Sequence, residues 1–261
     1  MTPDFTRLRA WWLDFALSLA FLTRLPNLLA APPEDRGLGP ALRTAPLVGI
    51  VIGLIGGAAF WLAGALGLPP ALAALLAVGA TLCATGALHE DGLADVADGF
   101  GGAFERARKL AIMRDSRTGA FGVLALILSI GLRAGALAVI AAPAAALAAL
   151  VAAHALSRAA LPGIMAGLSP ARGDGLASEA GKPSRQDALA AAVLGLVVAI
   201  LAMGLRDGLV VSAVAGLAAV LVAALARRQI GGYTGDVLGA AQQAGEAAAL
   251  LAAAALTAQL P

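Results

Sequence analysis

The chain has 261 residues, 60% apolar and 13% charged, with a formal net charge of +2 and a mean hydropathy of +0.88. A soluble domain carries roughly 25% charged residues to coat its surface, so this composition excludes an ordinary soluble globule. Near-neutral charge, with no basic tract interleaved with aromatics, excludes nucleic-acid binding.

In chain order, the first apolar run is Trp11–Leu29. It contains Asp14 and Arg24, which suit either a span or a helix lying at the interface. Arg7 and Arg9 stand beside Asp4 and Asp14, and no small-residue cleavage site precedes Arg24, so a cleaved signal peptide is not expected. The runs that follow are Thr44–Leu66, Ala71–Leu88, Gly119–Ile140, Ala144–Leu168, Gln186–Leu205, Gly208–Ala226 and Gly235–Leu256. About 20 apolar residues cross the hydrocarbon core as a helix, and lipid offers the backbone no other partner. Strand-like alternation is absent, which removes a barrel. The expected fold is all-α: one polytopic integral membrane bundle over residues 1–261, with about seven or eight spans. Gly49, Gly53, Gly56 and Gly57 form a small-residue stripe suited to close helix packing. Cys83 has no second cysteine to pair with and is expected in helix packing.

Orientation follows from the connections. Gly67–Pro70, Ala141–Pro143 and Arg206–Asp207 are tight, so the longer connections 30–43, 89–118, 169–185 and 227–234 share the other side. Those four contain twelve of the eighteen Lys and Arg residues, while the tight ones contain only Arg206. That asymmetry places the long connections, and with them the active face, in the cytoplasm and the C-terminus outside. Transporters bury ionisable groups at mid-bilayer. Here nearly all carboxylates lie at one end, which favours an enzyme supplied from the cytoplasm. Arg133 and Arg158 are expected to reach an interface by helix drift or snorkelling. His154 is expected to be packed and hydrogen-bonded, and Glu246 to be paired with a polar helix neighbour.

The sharpest chemistry lies in His89-Glu90-Asp91-Gly92-Leu93-Ala94-Asp95-Val96-Ala97-Asp98-Gly99. Asp91, Asp95 and Asp98 recur at i, i+4 and i+7, so a helix stacks them on one face. Crowded carboxylates repel unless a cation sits between them, and oxygen-only ligands point to Mg²⁺ or Mn²⁺. The alternative is a solvated helix end. His89 is a candidate general base or phosphate ligand, or simply a hydrogen-bond partner of a neighbouring aspartate. Arg114-Asp115-Ser116-Arg117 precedes a span and suits a diphosphate, the alternative being a positive-inside anchor. Gly231-Gly232-Tyr233-Thr234-Gly235-Asp236 offers a backbone anion nest from Gly231, Gly232 and Thr234. Asp236 there is a candidate metal ligand or base; the alternative is a flexible turn. The connection Ser169–Arg185 is long and polar enough to close over a substrate.

Taken together, Phe21-Leu-Thr-Arg-Leu-Pro26, Pro46-Leu-Val-Gly49, His89 through Gly99, Ile112 through Gly122, Ser157-Arg158 and Gly231 through Asp236 resemble the cobalamin synthase (adenosylcobinamide-GDP ribazoletransferase) family. The blocks cover essentially the whole chain. The family pattern has an apolar residue where this chain has Glu90, which either adds a ligand or faces water. Residues 169–175 read as a looser version of the family's loop. The resemblance implies a Mg²⁺-dependent enzyme of the bacterial cytoplasmic membrane that joins adenosylcobinamide-GDP to α-ribazole, or its 5′-phosphate, and releases GMP. Asp91, Asp95 and Asp98 would then hold Mg²⁺, Arg114 and Arg117 would neutralise phosphate, and a carboxylate or His89 would take the hydroxyl proton. Homo-oligomers, or association with other corrinoid-assembly enzymes, are compatible with it. Two rivals stand beside this reading. CDP-alcohol phosphotransferases show Asp-Gly-x-x-Ala-Arg, whereas Asp91-Gly92-Leu93-Ala94 is followed by Asp95. A non-catalytic corrinoid transporter or scaffold is opposed by the one-sided charge.

Overall fold

The structure, a computed structural model, describes residues 5–28 and 37–258. Among these residues every regular element is helical, with no strand and one isolated bridge between Pro170 and Tyr233. Helix α1 is Phe5–Leu22; α2, Leu38–Ala41, passes through a 3₁₀ turn at Leu42–Thr44 into α3, Ala45–Ala65. Then come α4, Pro70–Thr85; α5, Leu88–Gly102; α6, Arg106–Ile112; α7, Ala120–Ile140; and α8, Pro143–Gly167. The last are α9, Leu176–Glu179; α10, Arg185–Met203; α11, Leu205–Ile230; and α12, Gly235–Thr257.

Local signals set the helix starts. Proline opens the first turn of α3, α4 and α8, where its missing N–H costs nothing. Ser184 and Asp187 form a reciprocal capping box at the start of α10. Five helical segments among the described residues are long and apolar enough to cross a membrane: Leu38–Ala65, α7, α8, α10 and α11. The consecutive pair α4 and α5 makes a sixth if counted as one bent span. Apolar side chains such as Leu124, Ile127 and Leu128 point out of the bundle, as lipid-facing residues do. The chain is a multi-pass membrane protein.

Several expectations change. The run Ala71–Leu88 stops at Thr85, where left-handed Gly86 (φ +65°) and Ala87 (φ +55°) turn the chain through 93° into α5. The aspartate-rich stretch is a 15-residue helix, as its period predicts, and it packs against α7 and α12. Helix α12 is long enough to span, but Gln242, Gln243 and Glu246 keep it out of the apolar set. It packs against α5, α7, α8 and α11, so protein rather than lipid satisfies its polar face. Helix α1 also falls short of the five, and its Asp14 pairs with Arg43 at 2.6 Å. Cys83 is exposed on α4 instead of packed.

Close approach of α3 to α8 confirms the packing role of the glycine stripe. A Cβ on Gly49 would lie 2.3 Å from the His154 carbonyl oxygen, and one on Gly53 would lie 2.6 Å from Val151 Cα. Arg133 and Arg158 do not snorkel. Each is 1% exposed: Arg133 meets two carboxylates inside the bundle, and Arg158 bonds to His154. Arg133 Nη1 donates to Glu90 Oε1 at 3.0 Å and to Glu246 Oε1 at 2.9 Å. His154 Nδ1 lies 3.1 Å from Glu246 Oε2 and 3.0 Å from Arg158 Nη1. Gln242 and Gln243 donate to Glu246 and Glu90 at 2.7 and 2.9 Å. Glu90 thus neither faces water nor joins the aspartates; it holds α5 to α7 and α12.

Substituting Gly53→Val should cost about 1–3 kcal/mol by overpacking, seen as a lower thermal midpoint of the detergent-solubilised protein. Gly64→Val, where a new Cβ meets nothing within 4 Å, should leave that midpoint close to wild type.

Candidate active site

The polar connections gather at one end of the bundle, and backbone hydrogen bonds fasten them together. Tyr233 N donates to the Ser169 carbonyl at 3.0 Å, and Ala171 N donates to the Tyr233 carbonyl at 2.8 Å. Arg106 clamps both segments, giving 2.7 Å bonds to the carbonyls of Ile230 and Ala171. Gly39 N donates to the Ala180 carbonyl at 2.6 Å. The connection between α8 and α10 is thereby pinned over the ends of α2 and α11.

Underneath, α5 lies against the start of α12. A Cβ on Gly92 would sit 2.8 Å from the Asp236 carbonyl oxygen, and one on Gly239 would sit 3.0 Å from that of His89. Only bare backbone permits this approach, and it brings the α5 carboxylates alongside Asp236. The negative charges of Asp236, Asp91 and Asp98 all act on Asp95, with Arg172 opposing them. Asp236 Oδ2 accepts 3.0 Å bonds from Arg172 Nη2 and Thr234 Oγ1, leaving Oδ1 to meet a substrate.

Two cavities meet at this seam. One is an apolar chamber of about 240 Å³ bounded by α1, α2, α5, α8 and α12, with His89, Asp91 and Asp236 in its wall. The other is a polar cleft of about 530 Å³ lined by Arg114, Arg172, Asp174, Tyr233, Thr234 and Asp236. Gly235 and Asp236 belong to both. Burial pushes the Tyr233 hydroxyl upward, so it stays protonated in the cleft wall.

The structure separates the residues expected from sequence. Asp91 and Asp236 share the chamber wall with His89, and Asp95 lies within electrostatic reach of both aspartates. Asp98 is anchored elsewhere: its carboxylate accepts the N–H groups of Gly119 at 2.6 Å and Gly122 at 2.9 Å, capping α7 from across the helix pair. Arg114 enters the cleft and pairs there with Asp174. Arg117 instead folds onto Asp115 at 2.6 Å and holds that carboxyl at about 2; neither these two nor Ser116 lines the chamber or the cleft. Thr234 lines the cleft and caps α12 by accepting from Val237 N. Gly231 ends α11 in the left-handed region, and Gly232 packs against Ser169; both shape the loop rather than line the cleft. Arg172 was not singled out in the sequence, where a lone loop arginine carries no pattern.

Among the described residues, no three His, Cys, Asp or Glu side chains form a ready metal cage. The oxygen donors of Asp91 and Asp95, beside an arginine-lined cleft, fit a hard cation that draws its remaining ligands from water and substrate phosphate. Replacing Gly92 with alanine should push α5 off α12. A misplacement of about 1 Å costs turnover roughly 10²-fold, so steady-state rates should fall by that order while the circular-dichroism helix signal is retained.

A family model described as cobalamin-5-phosphate synthase matches residues 14–254. Proteins named adenosylcobinamide-GDP ribazoletransferase are similar over nearly their whole length. That of Bradyrhizobium diazoefficiens is 47% identical over 255 residues, 98% of each chain. That of Mesorhizobium japonicum is 49% identical over 240 residues, 92% of each chain, and that of Brucella suis 44% identical, covering 91% of this chain and 95% of its own. No solved structure matches. The chain belongs to the cobalamin-5-phosphate synthase family.

Proposed function

We propose that this protein joins adenosylcobinamide-GDP to α-ribazole, or to its 5′-phosphate, releasing GMP at a late step of cobalamin assembly. The observation that carries the chemistry is Asp236, a carboxylate shared by an apolar chamber and an arginine-lined cleft. A reaction between an apolar nucleoside and a diphosphate needs such a boundary.

In this reading the diphosphate lies in the cleft, where Arg114 and Arg172 bind its oxygens. The ribazole hydroxyl oxygen forms a bond to the phosphorus that carries the corrinoid. The bridging P–O bond breaks, GMP leaves with its electron pair, and the hydroxyl proton passes to Asp236. Asp91 and Asp95 would hold Mg²⁺, which when bound supplies positive charge at the diphosphate. Asp98, through its bonds to Gly119 and Gly122, keeps those two aspartates in register. Positioning and electrostatics supply most of the catalysis in such transfers. The polar end would face the cytoplasm of a bacterial inner membrane, since it collects the Lys- and Arg-rich connections.

The test is GMP release by reconstituted protein given adenosylcobinamide-GDP, α-ribazole 5′-phosphate and Mg²⁺. GMP should require all three. Asp236→Asn should lower kcat by about 10²- to 10⁴-fold, the usual worth of a general base. GMP release without the ribazole substrate, or an unaltered kcat in Asp236→Asn, contradicts the assignment.

A further inference from the structure

We propose that the apolar chamber is the binding site for the aromatic base of the incoming nucleoside, separate from the cleft that holds the diphosphate; this rests on the function proposed above. Its wall includes Phe21, Leu42, Leu88, Leu161, Met165 and Ala180, contributed by segments far apart in sequence. A volume of about 240 Å³ admits one bicyclic aromatic and excludes a corrin macrocycle, so the corrinoid stays outside. A guanine is a poorer occupant. Its ring nitrogens, amine and carbonyl would lose water in an apolar pocket without replacement bonds. A dimethylbenzimidazole has two methyl groups to bury and only one ring nitrogen left to satisfy.

Asp91 and Asp236 stand in the same wall, so the chamber turns polar only where it joins the cleft. The ribose then has one direction to take. With the base beside His89 and Leu161, the sugar points to the wall formed by Asp91 and Asp236, where the cleft begins. The hydroxyl meets the phosphorus there, and the two substrates approach from opposite sides of Asp236.

The chamber can be filled from the pinned loop without entering the bundle, by Ala180→Phe. The dissociation constant of α-ribazole, measured by equilibrium dialysis on solubilised protein, should rise about 10- to 100-fold, the range for a steric change in an apolar pocket. The KM for α-ribazole should rise with it, while that for adenosylcobinamide-GDP stays within twofold. Met165→Ala, which removes a contact instead of adding a clash, should weaken α-ribazole in the same selective way. Free 5,6-dimethylbenzimidazole should inhibit competitively against α-ribazole and not against the corrinoid. If wild-type protein turns over but these variants raise only the corrinoid KM, or leave both unchanged, the chamber assignment is wrong and the function stands. If wild type neither binds α-ribazole nor releases GMP, the function fails and the assignment with it.

Discussion

The active end of this protein depends on one backbone contact, the seating of Gly92 and Gly239 between α5 and α12. A membrane helix cannot rely on hydrophobic attraction to its neighbours, since lipid tails are equally apolar. Close packing and polar bonds do that work instead. With no Cβ at either glycine, the first turn of α12 comes against α5, and Asp236 joins Asp91 and Asp95. The chamber and the cleft exist because this seam has carboxylates on it and open space on both sides.

Below the seam, a second device fixes the angle of α5. Glu90 and Glu246 answer the guanidinium of Arg133, and Gln242 and Gln243 use their amides to complete the bonds. Burying charge is expensive, and removing one member of a buried pair costs about 3–5 kcal/mol. The network therefore specifies one arrangement of α5, α7, α8 and α12 and disfavours others. It also explains how a chain can turn through 93° inside a bundle: the helix after the turn is anchored at Glu90 near its start and at Asp98 near its end.

Much of this was legible in the sequence. The apolar runs locate the long helices, and the aspartate period places Asp91 and Asp95 on one face. The Gly-Gly-Tyr-Thr-Gly-Asp segment marks Asp236. What was not legible is long-range. The elbow rests partly on Ala87, an alanine at positive φ that no local propensity announces. Glu90 finds its partners Arg133 and Gln243 43 and 153 residues away, so its departure from the family pattern looked like a ligand or a solvated charge. Asp98 fits the metal period but meets two amides at the start of α7. Arg172 sits in a loop with no motif, and only the pinning of that loop by Arg106 and Tyr233 delivers it to Asp236.

Carboxylates of α5 and the substrate diphosphate are proposed to share one cation at the seam with α12. The most direct measurement is electron–nuclear double resonance on Mn²⁺ replacing Mg²⁺ in protein saturated with adenosylcobinamide-GDP. The account predicts a ³¹P coupling to the bound Mn²⁺ that disappears in Asp91→Asn and in Asp95→Asn. Mn²⁺ that binds both variants as tightly as wild type with the same ³¹P coupling, or that shows no phosphorus in wild type, would contradict it.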